Sequence, residues 1–383
     1  MKKILMFALS LSLLLAGCAP NFDKQEEVAQ DKKDAKEKVI IPNYQISDEY
    51  YRTVTPFKPS ESRGLVVGNI NSKYDITEFE TGLMRVAQKE YDPKKYVFQE
   101  GLYLKKDTVR KWLNRKYTPE QLKEKKINEE DNIGLNPLDP KGNDETPKYL
   151  AHILEQNYLV EIEEGKYRLE GVVIGLALNS TYYYQKVQYG PTYETKIDHK
   201  ELEKEGKKIA EEVLKRLRKI KGLEEVPITI ALFEQQSKSS VVPGNFFAYA
   251  NAPEGSASLG SWEKVDEKYF QFPSSEAEKQ HREDHLAFLN FKQDVESYFP
   301  NFNGVIGKAF YADGQLRELS INIPIQFYGK AEGIGFTQYV TGLIMQHFPE
   351  YISVEVSITS VNGPEALIVR KAGEKEPFVH IYQ

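Results

Sequence analysis

GVIGKAFYADGQLRELSINIPIQFYG, residues 304–329, is the stretch that decides the fold. Two β-rich runs flank Asp313-Gly314, and Asp-Gly is a strong hairpin signal because glycine accepts positive φ without steric cost. GFTQYVTGLIMQHFPEY (335–351) follows, with Phe336, Tyr339, Val340, Leu343, Ile344 and Phe348 at helical spacing and a stop before Pro349. ISVEVSITSVNG (352–363) then alternates as a strand. The unit reads as strand, tight turn, strand, helix, strand.

An earlier stretch reads the same way. YLVEIEEGKYRLEGVVIGLALNSTYYY (158–184) places Glu164-Gly165 where Asp313-Gly314 stands later. DHKELEKEGKKIAEEVLKRLRKIKG (198–222) is an amphipathic helix on Leu202, Ile209, Val213, Leu217 and Ile220, opening on Asp198/Glu201 and stopping at Gly222. VPITIALFEQ (226–235) closes the unit. The expected fold is therefore α+β: two tandem ββαβ-type repeats with helices packed on largely antiparallel sheets. The alternative is chance similarity between two common motifs. Elsewhere, residues 75–91 predict a helix on Ile76, Phe79, Leu83, Val86 and Ala87 with an Asp75/Glu78 capping box. Lys105–Lys116 predicts an exposed basic helix. The polar, proline-bearing 118–148 segment reads as a surface excursion.

The N-terminus is of another kind. Met1-Lys2-Lys3 precedes a 12-residue run, Ile4 to Leu15, apolar except for Ser10 and Ser12. That is too short to span a bilayer and fits the h-region of a secretory signal. Leu15-Ala16-Gly17-Cys18 follows, and Cys18 is the only cysteine among 383 residues. The pattern resembles a bacterial lipobox. The resemblance implies a diacylglyceryl thioether on Cys18 and cleavage between Gly17 and Cys18, with a diacylglyceryl transferase and a signal peptidase as maturation partners. The other reading is an ordinary secretory signal with a coincidental cysteine. Residues 19–38 hold 11 charged side chains in 20, six acidic and five basic, and read as a solvated tether. The expected division is 1–17 signal peptide, 18–43 disordered tether, 44–235 with the first repeat and 236–383 with the second.

Composition narrows the functional classes. At 40% hydrophobic and 12% aromatic, the chain can build a sizeable core. A net charge of −6 gives no reason to expect a nucleic-acid partner. One cysteine forms no internal disulfide and no cysteine-based zinc site.

The lipobox, RGLVVGNINSKYDITEFETGLMRVAQKEYDPKKYVFQEGLYL (63–104), NIGLNP (132–137) and the 304–329 stretch together resemble the CamS family of Gram-positive surface lipoproteins, known as sex-pheromone precursors. The resemblance implies a protein anchored on the outer face of the cell membrane with a non-enzymatic ectodomain. It also implies that an apolar peptide cut from before the lipidated cysteine, here Leu11, Ser12, Leu13, Leu14, Leu15, Ala16 and Gly17, acts as a pheromone. These positions differ from the family's known pheromone at most places.

Chemical motifs are weak by comparison. His281 and His285 share a helix face at i, i+4 but lack the H-E-x-x-H pattern and a third ligand, so a solvated face is expected. Gly333-Ile334-Gly335, with Glu355 twenty residues on, lacks the third glycine of a dinucleotide loop. Ser261-Trp262-Glu263-Lys264 matches S-x-x-K, but no K-T-G follows. No cofactor and no metal are expected. Residues 237–262 (SKSSVVPGNFFAYANAPEGSASLGSW), rich in serine, glycine and aromatics, read as a long loop with Tyr182-Tyr183-Tyr184 nearby. The alternative function they admit is a surface lipoprotein that binds a peptide or glycan ligand. A cell-envelope hydrolase ranks third.

Overall fold

The computed structural model describes residues 26–28, 38–39, 41–42, 45–163, 166–298, 304–326 and 329–383. Cys18, the Leu11–Gly17 segment, most of the expected tether and the Glu164-Gly165 turn lie outside the described residues. The fold is mixed α+β with several sheets. Among the described residues there are eight α-helices: α1 (Val66–Asn69), α2 (Lys73–Ala87), α3 (Lys106–Leu113), α4 (Pro119–Lys125), α5 (His199–Leu217), α6 (Ser275–Gln280), α7 (Arg282–Tyr298) and α8 (Lys330–His347).

The chain forms two compact units. The smaller takes residues up to 58, 91–99 and 158–170; the larger takes 59–90, 100–157 and 171–383. In the smaller unit, the short strands β1 (Glu26–Val28) and β2 (Lys38–Val39) pair with each other, and β3 (Arg52–Thr53) lies parallel to β4 (Tyr96–Glu100). Ile41, Val54, Val97, Leu159 and Tyr167 form its apolar core. Tyr158 stacks on Tyr91 at 4.9 Å between ring centres, and the Tyr51 hydroxyl donates to the Tyr91 carbonyl at 2.6 Å. Burying tyrosines requires that kind of partner for the hydroxyl.

The larger unit holds two sheets. In the first, β5 (Leu150–Glu163, to Asn157 in this unit), β6 (Lys166–Asn179, from Gly171 in this unit), β9 (Ile228–Gln235), β10 (Asn245–Ala252) and β11 (Glu263–Lys264) are neighbours in that order. In the second, β12 (Glu267–Phe272), β13 (Ile306–Ala312), β14 (Gln315–Pro324), β15 (Ser353–Ser360), β16 (Gly363–Arg370) and β17 (Phe378–Ile381) follow one another. Both sheets contain one crossover of the same kind. The helix α5 links β6 to a parallel β9, which pairs antiparallel with β10. The helix α8 links β14 to a parallel β15, which pairs antiparallel with β16. A two-stranded ribbon, β7 (Thr181–Gln185) with β8 (Thr192–Lys196), is inserted before α5.

The Asp313-Gly314 hairpin forms as expected. Both residues have positive φ (53° and 73°), and Ala312 faces Gln315 across the turn. That is the type I′ geometry whose twist matches the flanking strands. Phe288, Phe291 and Val295 of α7, with Phe336, Val340 and Ile344 of α8, cover one face of the second sheet. On the first sheet, Phe79 of α2 meets Phe233 and Phe246 at 5.1 and 5.8 Å, and a Cβ at Gly175 would lie 2.9 Å from the Phe79 ring. That strand position admits only glycine at this helix–sheet distance.

Several local expectations change. The helix α2 starts at Lys73, capped by Ser72, whose hydroxyl accepts from the Asp75 N–H at 3.1 Å. The Asp75/Glu78 capping box does not form, because both side chains are buried inside the helix's first turns. Gly333, Ile334 and Gly335 lie within α8 rather than in a loop before it, so no phosphate-cradling turn exists there. The 237–262 stretch is not one long loop: β10 runs through it, and Phe246, Phe247 and Tyr249 are buried sheet residues. The 118–148 segment is an ordered lobe. Asn136 at its heart is fully buried; its amide donates to the Leu113 and Leu150 carbonyls and accepts from the Leu150 N–H, each at 2.9 Å. Asn136→Ala strands three buried backbone groups, so we expect a loss of about 2–4 kcal/mol, read as a lower urea midpoint at unchanged slope.

Candidate functional site

A cleft of about 650 Å³ opens in the larger unit. One wall is the 65–71 segment leading into α2, and another is the C-terminal turn of α3 with Arg110, Leu113 and Asn114. Lys148, Leu150 and Ala151 enter at the start of β5, Asn179 at the end of β6, Tyr182 and Tyr183 from β7, and Lys238 from the loop after β9. None of the lining residues is acidic, in a chain of net charge −6.

A chain of polar contacts fixes these walls. The Asn71 N–H donates to the Gln235 side chain at 2.9 Å, and the Gln235 amide donates to Asn179 at 2.5 Å. Asn179 in turn donates to the Lys148 carbonyl at 2.8 Å. Behind the cleft, the buried Arg115 bonds Asp144 at 3.1 Å, the Tyr182 hydroxyl at 3.0 Å and the Thr146 carbonyl. Asp139 accepts from the Asp144 N–H at 2.7 Å and from the Thr146 hydroxyl at 3.1 Å. Asp139 and Asp144 therefore both have partners within this lobe. Burial lowers the pKa of Lys148 below the usual lysine range, with Arg115 adding to the effect and Asp144 and Asp139 opposing it.

Three other buried groups shape the surroundings. Glu155 accepts the N–H groups of Leu102, Tyr103 and Leu104, the closest at 2.6 Å, and so holds the Gly101–Leu104 turn onto the sheet. Burial nevertheless raises its pKa. His152, reached by the cleft residue Asn69 at 3.5 Å, is pushed down to about 4 by burial and is neutral. Glu78 and Glu267 both pair with Arg85, and the Tyr269 hydroxyl donates to Glu78 at 2.7 Å; this network links α2 to β12.

The residues singled out by sequence are mostly elsewhere. Tyr182, Tyr183 and Lys238 reach the cleft. Tyr184 stacks instead between Tyr182 and Tyr193, at 5.7 and 5.6 Å. Each cleft tyrosine has a cation over its ring: Arg115 lies 5.6 Å from the centre of Tyr182, and Lys238 lies 4.5 Å from that of Tyr183. His285 is buried rather than part of a solvated face, edge-on to Phe272, and His281 stacks on Tyr311 at 3.6 Å. No cluster of three potential metal ligands occurs among the described residues. Ser261 and Lys264 are exposed, and Lys264 pairs with Asp266 at 3.1 Å. The cleft residues Arg110, Lys148 and Asn179 escaped the sequence reading because each is an ordinary polar residue from a different segment.

The molecule is thus a mixed α+β body with a cationic cleft, and no helix among the described residues is long and apolar enough to cross a membrane. Comparison with known families gives the rest: residues 57–376 match the model of the CamS sex pheromone cAM373 precursor. The chain belongs to the CamS family. It is similar to the C-terminal domain of the sex pheromone staph-cAM373 precursor from Staphylococcus aureus, at 35% identity over 82% of this chain and 98% of that one, with a TM-score of 0.71. It is also similar to the sex pheromone precursor from Lactobacillus salivarius subsp. salivarius UCC118, at 32% identity over 90% and 99%, with a TM-score of 0.81. No curated protein matches the chain.

Asp75 supplies a pH test of the site's frame. Its Oδ1 accepts the Gly244 N–H at 2.6 Å, but burial dominates and raises its pKa from 3.8 to about 6. The folded state holds this proton more tightly than the unfolded chain. Stability from this group is therefore greatest below pH 4 and falls as pH rises through 6. We expect the protein to lose about 1 kcal/mol more than its Asp75→Asn variant between pH 5 and 7.5, measured by urea unfolding of both. Equal losses in the two proteins would contradict the assignment.

Proposed function

We propose that the chain is a lipid-anchored surface precursor with two separable products. Cleavage between Gly17 and Cys18 frees the Leu11–Gly17 peptide, which carries the signal. Cys18, modified by a diacylglyceryl transferase and exposed by the signal peptidase, holds the ectodomain on the outer face of the membrane. The observation that carries this reading is Leu15-Ala16-Gly17-Cys18, placed directly after a 12-residue apolar run and containing the chain's only cysteine, in a chain of the CamS family. Two acyl chains anchor stably because each buried CH₂ contributes about 0.8 kcal/mol. The ectodomain is non-enzymatic in this reading, since the S-x-x-K and histidine motifs are each spent on surface or packing contacts. Its two sheets are tandem repeats; what supports this is the shared order of hairpin, helix and parallel strand in β5–β9 and β13–β15.

Fatty-acid labelling in cells tests the anchor. Cys18→Ala abolishes labelling and lipoprotein-type cleavage; a labelled variant would sink the assignment, because no other cysteine exists to accept lipid. The peptide is tested separately, by a plasmid-transfer or aggregation response to synthetic LSLLLAG against purified ectodomain. Burying a leucine contributes about 1.5–3 kcal/mol. Replacing Leu13 and Leu15 by Ser should thus lower peptide potency by about 100-fold or more. A response to the ectodomain alone would overturn the division of labour.

A further inference from the structure

We propose that the cleft between the 65–71 segment, α3 and β7 binds a phosphate-bearing, hydroxyl-rich ligand. Arg110, Lys148 and Lys238 bring three positive charges to it from three separate segments, with no carboxylate in the lining. The cations are available to a ligand to different degrees. The Lys148 ammonium makes no ion pair or hydrogen bond among the described residues, and the two nearby carboxylates are occupied, Asp144 by Arg115 and Asp139 by the Asp144 N–H and the Thr146 hydroxyl. Lys238 is exposed and held over the Tyr183 ring, with its own N–H donating to the Tyr183 hydroxyl at 3.1 Å. Arg110 shares one guanidinium nitrogen with Asp107 at 3.2 Å and keeps its other donors.

A half-buried lysine without a partner is costly to maintain charged, and an anion removes that cost. The choice of phosphate follows from direction. A tetrahedral phosphate presents acceptor oxygens in several directions, so it can take a forked guanidinium and point-charge ammoniums arriving from different sides at once. Asn114 and the Tyr183 hydroxyl, also in the lining, are donors and acceptors suited to ligand hydroxyls.

Calorimetric titration of the purified full chain tests the site, with inorganic phosphate, glycerol 3-phosphate and a synthetic phosphodiester-linked glycerol oligomer as probes and citrate as the carboxylate control. We expect the phosphate probes to bind more tightly than citrate, with affinity falling as sodium chloride is raised from 50 to 500 mM (about 14 to 4 Å in screening length). Lys148→Gln and Lys238→Gln should each weaken binding by about tenfold, and Lys264→Gln, on a strand outside the cleft, should not. Lys238 is exposed, so its variant remains informative if Lys148→Gln fails to fold. Tighter binding of the oligomer than of the monoester would identify a polymer as the source; the reverse would identify a free phosphate ester. No binding of any phosphate probe, tighter binding of citrate, or affinity unchanged in Lys238→Gln would overturn the proposal. None of these outcomes bears on Cys18, so failure here leaves the anchoring reading intact.

Discussion

Two strands that lie parallel and adjacent cannot be joined by a tight turn; the chain must travel back along the sheet before it re-enters. Within the larger unit this constraint acts at β6/β9 and at β14/β15. Each return path is a helix, and each helix must put an apolar face on the sheet it crosses. Leu202, Val213 and Leu217 of α5 and Phe336, Val340 and Ile344 of α8 are those faces, all fully buried. Close approach then constrains the strands and helices. A Cβ at Gly206 of α5 would lie 2.6 Å from Leu178. In the first sheet the C-terminal end of the crossover strand β6 supplies Asn179 to the cleft.

Buried polar groups set what packing leaves open. Glu78, Arg85, Glu267 and Tyr269 form a network that apolar side chains of similar volume would replace at little energetic cost. Its contribution is directional. An arginine shared by two carboxylates accepts one placement of α2 against β12, and the Arg85 guanidinium also lies 4.8 Å over the Phe310 ring. Asn136 and Glu155 do the same for irregular backbone. Loops carry N–H and C=O groups that no ladder satisfies, so a buried loop needs side chains to take that role. One asparagine clips the NIGLNP segment to β5, and one glutamate closes the turn after β4.

What was legible in the sequence follows from range. Asp313-Gly314 was readable because a type I′ turn is a two-residue decision. The helices α5 and α8 were readable because their apolar periodicity extends over several turns. The Asp75/Glu78 box was misread because Ser72, three residues upstream, offered the same chemistry, and only tertiary contacts with Gly244 and Tyr269 decide which side chain caps and which is buried. Residues 237–262 were misread for the opposite reason: the serine and glycine at the ends of the stretch masked a short apolar strand whose pairing partner, β9, immediately precedes it. The cleft was hardly legible at all. Its walls come from five separated segments, and each contributes one to three polar residues.

The cleft's charge is also not a matter of composition. A chain of net charge −6 has more carboxylates than cations, so a cationic concavity must be made by local arrangement. Here the arrangement is a division of partners. Arg115 sits behind the wall and engages Asp144, while the backbone and hydroxyl of the same lobe engage Asp139. Lys148, half-buried beside them, is left facing the cleft with its charge uncompensated by contact. At the proposed site, Arg115 thus takes one oxygen of Asp144, and the Lys148 ammonium is left without a hydrogen-bonded partner among the described residues.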